Sequence, residues 1–458
     1  MTEIVTLTPT SADNRRPRHE AQAFACVAAA AFSGFPLAAA MAIDLDSNED
    51  LITDTVASQA MRREWMEARE RGARTVDDAD RGFAAPDGFR IGNFFYYPSV
   101  SETIAYDSNI YGQAKDPVAD WRFITSPKIT VQSQLPRHVF DMTVFGRFVN
   151  FARNTDQNYA NFGAAARGAI HIDHAHTFSA SVSARREHEE RSAITASQAA
   201  AEPVPVDQLR ASVGLTRDAG RLYGTIAASA EKLDYHSVPA IGGGRLNQDY
   251  RDQELYSAHI RAGYRISPGF DLVAKVRGIR QFNEPEAAGF EDRDSTGYEI
   301  SAGLAFETDP LLKWRILGGY GERTFDRADL GRVSTSILEA HMQWLATDRL
   351  TVTAVASREI ADEFGADDNG RIETGAGITA DYEIRHDLYA TVNVGYTDAD
   401  FIGSSRNDQI FEAGVSLDYH VSKNALVTLG YTYETRDSNE SNFDLDRSIV
   451  RVGGTLKF

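Results

Sequence analysis

Residues 94–458 keep a hydropathy period of two, in runs about twice the five or six residues of an ordinary globular strand. Phe178, Ala180, Val182 and Ala184 alternate with Ser179, Ser181, Ser183 and Arg185. Leu209, Ala211, Val213 and Leu215 alternate with Arg210, Ser212, Gly214 and Thr216. The pattern recurs over 270–277 (apart from Val273), 298–306, 388–396, 411–419 and 450–458. Successive side chains of a strand point to opposite faces, so each run reads as a strand with one apolar and one polar face. Its length suits a tilted crossing of a bilayer. No stretch of this body approaches the ~20 apolar residues of a spanning helix, which excludes a polytopic helical protein.

The connections constrain the fold independently. Short turns built from Asp, Pro, Gly and Ser fall at 135–137, 173–175, 218–220, 267–269, 308–310, 347–349, 385–387 and 421–423. Longer polar segments fall between them, near 107–119, 152–158, 188–205, 235–253, 283–295, 325–332, 361–370, 399–407 and 436–447. Strict short–long alternation is the habit of outer-membrane barrels, with short periplasmic turns and longer external loops. Eight short turns and nine long loops predict an all-β, transmembrane, antiparallel up-and-down β-barrel of about 18 strands, with 16 to 18 compatible with the pattern. Hydrocarbon offers no water to an unpaired edge, so the first strand, near 96–106, must pair with the last, 449–458. Trp121, Phe123, Trp314, Tyr320, Trp344, Tyr396, Tyr419, Tyr431 and Tyr433 stand at the ends of the apolar faces, where interfacial girdles form. The terminal Phe458 lies on the outward register and resembles the C-terminal aromatic assembly signal of outer-membrane proteins.

Residues 1–42 predict a secretory signal peptide. Arg15, Arg16 and Arg18 precede an Ala-rich apolar stretch that ends in Ala40-Met41-Ala42. Gly34 and Pro36 argue against the alternative of a buried helix, and cleavage before Ile43 would remove Cys26, the one cysteine. Residues 43–88 are charged and helix-permissive around 61–71, a periplasmic lead segment that is partly helical or disordered. The balance of 47 Lys+Arg against 66 Asp+Glu, a net charge of −19, argues against nucleic acid as a partner.

Ile91-Gly92-Asn93-Phe94-Phe95-Tyr96-Tyr97-Pro98-Ser99-Val100, followed by Tyr106-Asp107-Ser108-Asn109-Ile110-Tyr111, resembles the opening of the second family of outer-membrane β-barrel porins. With the barrel pattern, the likeness runs from about Phe89 to Phe458. It implies an outer-membrane location, with outer-membrane lipids, lipopolysaccharide and the barrel assembly machinery as partners. The family often includes proteins encoded with exopolysaccharide export machinery, so exopolysaccharide or its periplasmic export components are further implied partners. Asp77-Asp78-Ala79-Asp80-Arg81 stands where that family carries an Arg-Pro-rich stretch.

No nucleophile constellation, cofactor motif or metal site emerges, so no enzyme activity, cofactor or metal is expected. His171, His174 and His176 share one turn, and Asp362, Glu363, Asp367, Asp368 and Asn369 share one loop, but neither has ligand spacing, and solvated segments are the simpler reading. If apolar residues face lipid, their neighbours face the lumen. Lys128, Arg147, Arg167, Arg185, Arg210, Arg261, Lys275 and Arg277 then form a basic wall in the first half. Glu299, Glu339, Glu373, Asp381, Glu412 and Asp418 form an acidic wall in the second. The alternative is a lumen of self-compensating ion pairs. Two function classes follow: a porin-like passive conduit for hydrophilic solutes, or a structural or adhesive protein whose barrel displays loops without transport.

Overall fold

The computed structural model describes residues 88–283, 293–309, 311–327, 330–361 and 370–458. The signal peptide predicted for 1–42, all but the last residue of the lead segment predicted for 43–88, and the acidic loop 362–369 lie outside these residues.

The chain is a closed antiparallel barrel of 18 strands. A short β1 (Phe89–Ile91) folds back on the start of β2 (Phe94–Asp107). The wall continues through β3 (Asp120–Ser133), β4 (His138–Phe151), β5 (Tyr159–His171), β6 (His176–Glu189), β7 (Val204–Ala219) and β8 (Leu222–Tyr235). A small loop hairpin, β9 (Val238–Pro239) with β10 (Arg245–Leu246), interrupts it. The wall resumes with β11 (Gln253–Ser267), β12 (Phe270–Asn283), β13 (Ser295–Asp309), β14 (Leu312–Phe325), β15 (Arg332–Thr347) and β16 (Leu350–Ile360). It ends with β17 (Arg371–Arg385), β18 (Leu388–Phe401), β19 (Asn407–Ser422), β20 (Ala425–Ser438) and β21 (Leu445–Lys457). Each wall strand pairs with the next, and β2 pairs with β21 from Ser99↔Lys457 to Asp107↔Ile449. That closure leaves no edge, as an apolar solvent requires.

The faces follow the alternation. Ile260, Ile300, Ile378, Leu429 and Val452 are exposed on the outside, where lipid replaces water. All nine aromatics expected in the girdles lie on this outward register, with Tyr106 edge-on to Trp121 and Phe306 against Trp314. Pro98 sits on β2 at the very end of the stretch that pairs with β21, where its carbonyl accepts from the Phe458 N–H at 2.9 Å, so its missing N–H falls at the end of the closing ladder.

One register prediction follows. Val452 is 48% exposed on the outer face of β21, and arginine there costs roughly 2–4 kcal/mol near the bilayer midplane. Val452→Arg, or deletion of Phe458, is expected to reduce the heat-modifiable band in outer-membrane fractions. Wild-type levels for both would reject this face assignment.

Part of the wall is creased. A β-carbon built on Gly303 would lie 1.9 Å from the Ile316 carbonyl oxygen, and one on Gly319 would lie 2.0 Å from that of Ile300. Adjacent Gly318 faces outward into open space. Only residues without a side chain let β13 and β14 approach this way.

Candidate functional site: the lumen and its extracellular mouth

The predicted lumen residues Lys128, Arg147, Arg167, Arg185, Arg210, Arg261, Lys275 and Arg277 all lie on the inward register, as do Glu299, Glu339, Glu373, Asp381, Glu412 and Asp418. Their grouping differs from two separate walls. Glu299 and Glu339 sit among the cations: Arg277 Nη1 is 3.2 Å from Glu299 Oε1, and Glu339 is held by Lys275 at 3.1 Å and by Arg315 at 3.1 Å. These two acids therefore belong to the basic side. Sequence order placed them in the second half, whereas strand pairing sets β12 beside β13 and Arg277 opposite Glu299. Lys275 on β12 reaches Glu339 on β15 past Ser301, Gly303 and Gly319, whose small size clears the path. Elsewhere Arg167 pairs with Asp141 at 2.8 Å, Glu373 with Arg371 at 2.5 Å, and Asp381 and Asp418 accept hydrogen bonds from Thr391 and Thr428. Lining hydroxyls also pair across strands, as in Ser181 with Ser212 and Thr216 with Thr225.

The mouth is built differently. Alternation breaks at several extracellular strand ends, where inward positions turn apolar. Ile124, Val149 and Phe151 cluster with Ile110 of the β2–β3 loop. Val204, Val206, Leu233 and Tyr235 cluster with Ala200 of the β6–β7 loop and Val238 of β9. Both clusters hold loops inside the barrel rather than above it.

The β6–β7 loop, 190–203, is the principal intruder. Ser192, Ala193, Thr195, Ala196 and Ala200 are buried. Strands beyond the barrel closure grip it: Arg447 Nη1 on β21 donates to Ser192 Oγ at 2.6 Å, and Arg436 Nη1 on β20 donates to the Ser192 carbonyl at 3.1 Å. Glu190 meets Arg447 at 3.0 Å and Arg122 at 3.5 Å. Arg447 is itself anchored on fully buried Asp107 at 2.6 Å. From β6 round to β21 is five strand steps, about 24 Å of wall at the usual spacing. A loop joining those sectors spans the mouth as a chord. Gly112 supports the crossing: a β-carbon there would lie 2.6 Å from Ser192 Cα.

The root of the loop is fixed by Glu189, whose Oε1 takes Arg251 Nη2 at 2.7 Å and Thr195 Oγ1 at 2.6 Å. Burial alone would lower the Arg251 pKa, but Glu189 outweighs it, so the guanidinium stays charged. Burial likewise works against the Glu190 carboxylate, yet Arg447, Arg122 and Arg147 hold its pKa below the usual carboxylate value. Backbone bonds Ala201 N–H to Pro239 O and Ile241 N–H to Ala199 O tie in the β8–β11 loop.

The sequence pattern predicted inward-facing charges but not this latch of Asp107, Arg122, Glu190, Arg436 and Arg447. Its visible sign was the apolar inward residues at the strand ends. The histidine turn reads as local structure, with His176 on Asp173 at 3.0 Å and His171 Nδ1 on Thr177 Oγ1 at 3.1 Å.

A closed barrel with a lipid-compatible exterior, aromatic girdles and a polar, charge-lined interior defines an outer-membrane β-barrel protein of porin type. The chain belongs to the family described as “Putative beta-barrel porin 2”, whose family model matches residues 83–458. It is an outer-membrane, porin-like channel protein. No curated protein matches the chain. Among solved structures it is similar to OpdK of Pseudomonas aeruginosa, crystallised with vanillate, at 12% identity and a TM-score of 0.43, covering 79% of this chain and 99% of that one. OccAB2 of Acinetobacter baumannii gives 12% identity and 0.43, covering 80% and 99%. The siderophore receptor PirA of P. aeruginosa gives 8% and 0.41, covering 79% and 80%. Likeness this slight carries over no solute.

Proposed function

We propose that the protein is a passive pore for hydrophilic solutes, narrowed at its extracellular mouth by the 190–203 loop and favouring anions along one side of its lumen. The observation that carries this reading is the loop folded into the barrel and gripped by Arg447 and Arg436, because a barrel that only displays loops gains nothing from an internal chord. In the basic sector Arg210, Arg261, Lys275, Arg277, Arg315 and Arg323 outnumber Glu231, Glu299 and Glu339, and that excess supports the charge preference. A field across a water-filled lumen orients and filters polar solutes. The implied link to exopolysaccharide export rests on the family resemblance.

Conductance in planar bilayers tests this reading. Wild-type protein is expected to conduct, and joint replacement of Arg167, Arg210 and Arg277 by Ser should move the reversal potential toward cation selectivity. Lipid-facing Val182→Leu should change nothing. The shift should shrink with salt, since the Debye length falls from about 10 Å at 0.1 M to about 3 Å at 1 M. An unmoved reversal potential at low salt would remove the anion preference. Absence of conductance would favour the display protein.

A further inference from the structure

We propose that the outer face around Glu102, beside the seam where β2 closes on β21, is the surface through which two copies of this chain associate in the membrane. Glu102 is exposed and lies on the outward register of β2 between Val100 and Ile104. It sits two outward positions below Tyr106 of the extracellular aromatic ring, about 13 Å along the strand at the usual rise. Other outward charges on the described strands lie at or beyond that ring, as Lys232, Glu254, Arg280, Glu322 and Asp398 do, or at the periplasmic strand ends, as Arg217 and Arg385 do. An ionisable group inside the apolar band is costly and calls for a partner.

Within the chain, Glu102 Oε2 accepts one hydrogen bond, from Thr125 Oγ1 at 2.9 Å. Directly across the seam stands Gly454, with open space where a β-carbon would be. Ile104, Phe123, Val452 and Leu456, all exposed, rim the spot. The result is a polar recess with a glycine floor in an apolar wall. Small residues let backbones approach closely in membranes, and polar groups then bond across the contact.

A second copy is the occupant that the chemistry fits. The recess holds an acceptor, the Glu102 carboxyl, beside a donor, the Thr125 hydroxyl. Two such recesses facing across a two-fold axis exchange Thr125–Glu102 hydrogen bonds, and a two-fold interface uses the same patch on both subunits. The recess presents one carboxyl and one hydroxyl, enough for self-pairing and too little to orient an unrelated chain. The proposal is independent of what the lumen conducts.

The test uses the chain extracted from outer membranes and placed in lipid nanodiscs, with Cys26→Ser as background and mass read by light scattering. Wild type and Glu102→Gln, whose amide keeps a donor and an acceptor, are expected to be dimers. Glu102→Leu should dissociate about tenfold more readily. Gly454→Cys should cross-link to a second copy on oxidation, whereas Ala302→Cys, outward on distant β13, should not. Thr125→Cys replaces Gly454→Cys if that variant fails to give a heat-modifiable barrel. A monomeric wild type, a Glu102→Leu dimer as strong as wild type, or cross-linking of Gly454→Cys to a different protein would each overturn the proposal.

Discussion

Arg447→Ala is expected to release the β6–β7 loop and raise single-channel conductance. Arg447 is 4% exposed and binds Asp107, Glu190 and Ser192 together. Removing one partner from a buried ion network leaves the others charged and uncompensated, at a cost of about 3–5 kcal/mol. If half of that falls on the latched state, the ratio of released to latched loop rises more than tenfold. Limited proteolysis within 190–203 reports the release directly, and planar bilayers report the conductance. Acid should act in the same direction. Glu190 has a lowered pKa in the folded state, so its contribution is complete above the ordinary glutamate value and is lost as pH falls through the lowered one. The latch should therefore hold at neutral pH and loosen below about pH 4. Unchanged proteolysis and conductance in Arg447→Ala would show that the loop is held by its apolar cluster rather than by charge.

Gly319→Ala is expected to destabilise the barrel, while its neighbour Gly318→Ala is silent. The Gly319 β-carbon would lie 2.0 Å from one backbone atom and 2.7 Å from another, so a whole strand must move to admit it. Overpacking typically costs 1–3 kcal/mol, and the backbone obstacle here puts the loss at about 3 kcal/mol or more. Gly318 faces lipid with nothing near its virtual β-carbon. Heat-modifiability on SDS gels across a urea series measures both. Equal midpoints for the two variants would mean that the crease between β13 and β14 relaxes freely. Because that crease also lets Lys275 reach Glu339, Gly319→Ala should further alter ion selectivity wherever the barrel still forms.

Much of the wall was legible because a barrel in lipid obeys a local rule. Lipid outside and water inside impose opposite solvents on alternate residues, so a run such as Phe178 to Arg185 displays its facing directly. The predicted closure of the first strand on the last appears as Ser99↔Lys457 through Asp107↔Ile449. The eight short turns and nine loops recur between the strands as predicted. The predicted lumen charges lie on the inward register for the same reason. Their pairing was not legible, because whether Glu339 opposes or neutralises Lys275 depends on strand order around the wall and on the room left by Gly303 and Gly319.

By itself, then, the sequence determined closure, facing and girdles, and strand number to within two, since these follow from neighbours one or two residues apart and from the solvent on either side. Tertiary structure alone decided what occupies the mouth. Asp107, Glu190 and Arg447 are separated by tens to hundreds of positions and meet only after the barrel has closed and the loop has turned inward. The same holds at the seam, where Glu102 acquires its surroundings from Gly454 on the last strand. Alternation reports the medium that a side chain faces, but not which distant side chain shares that medium with it.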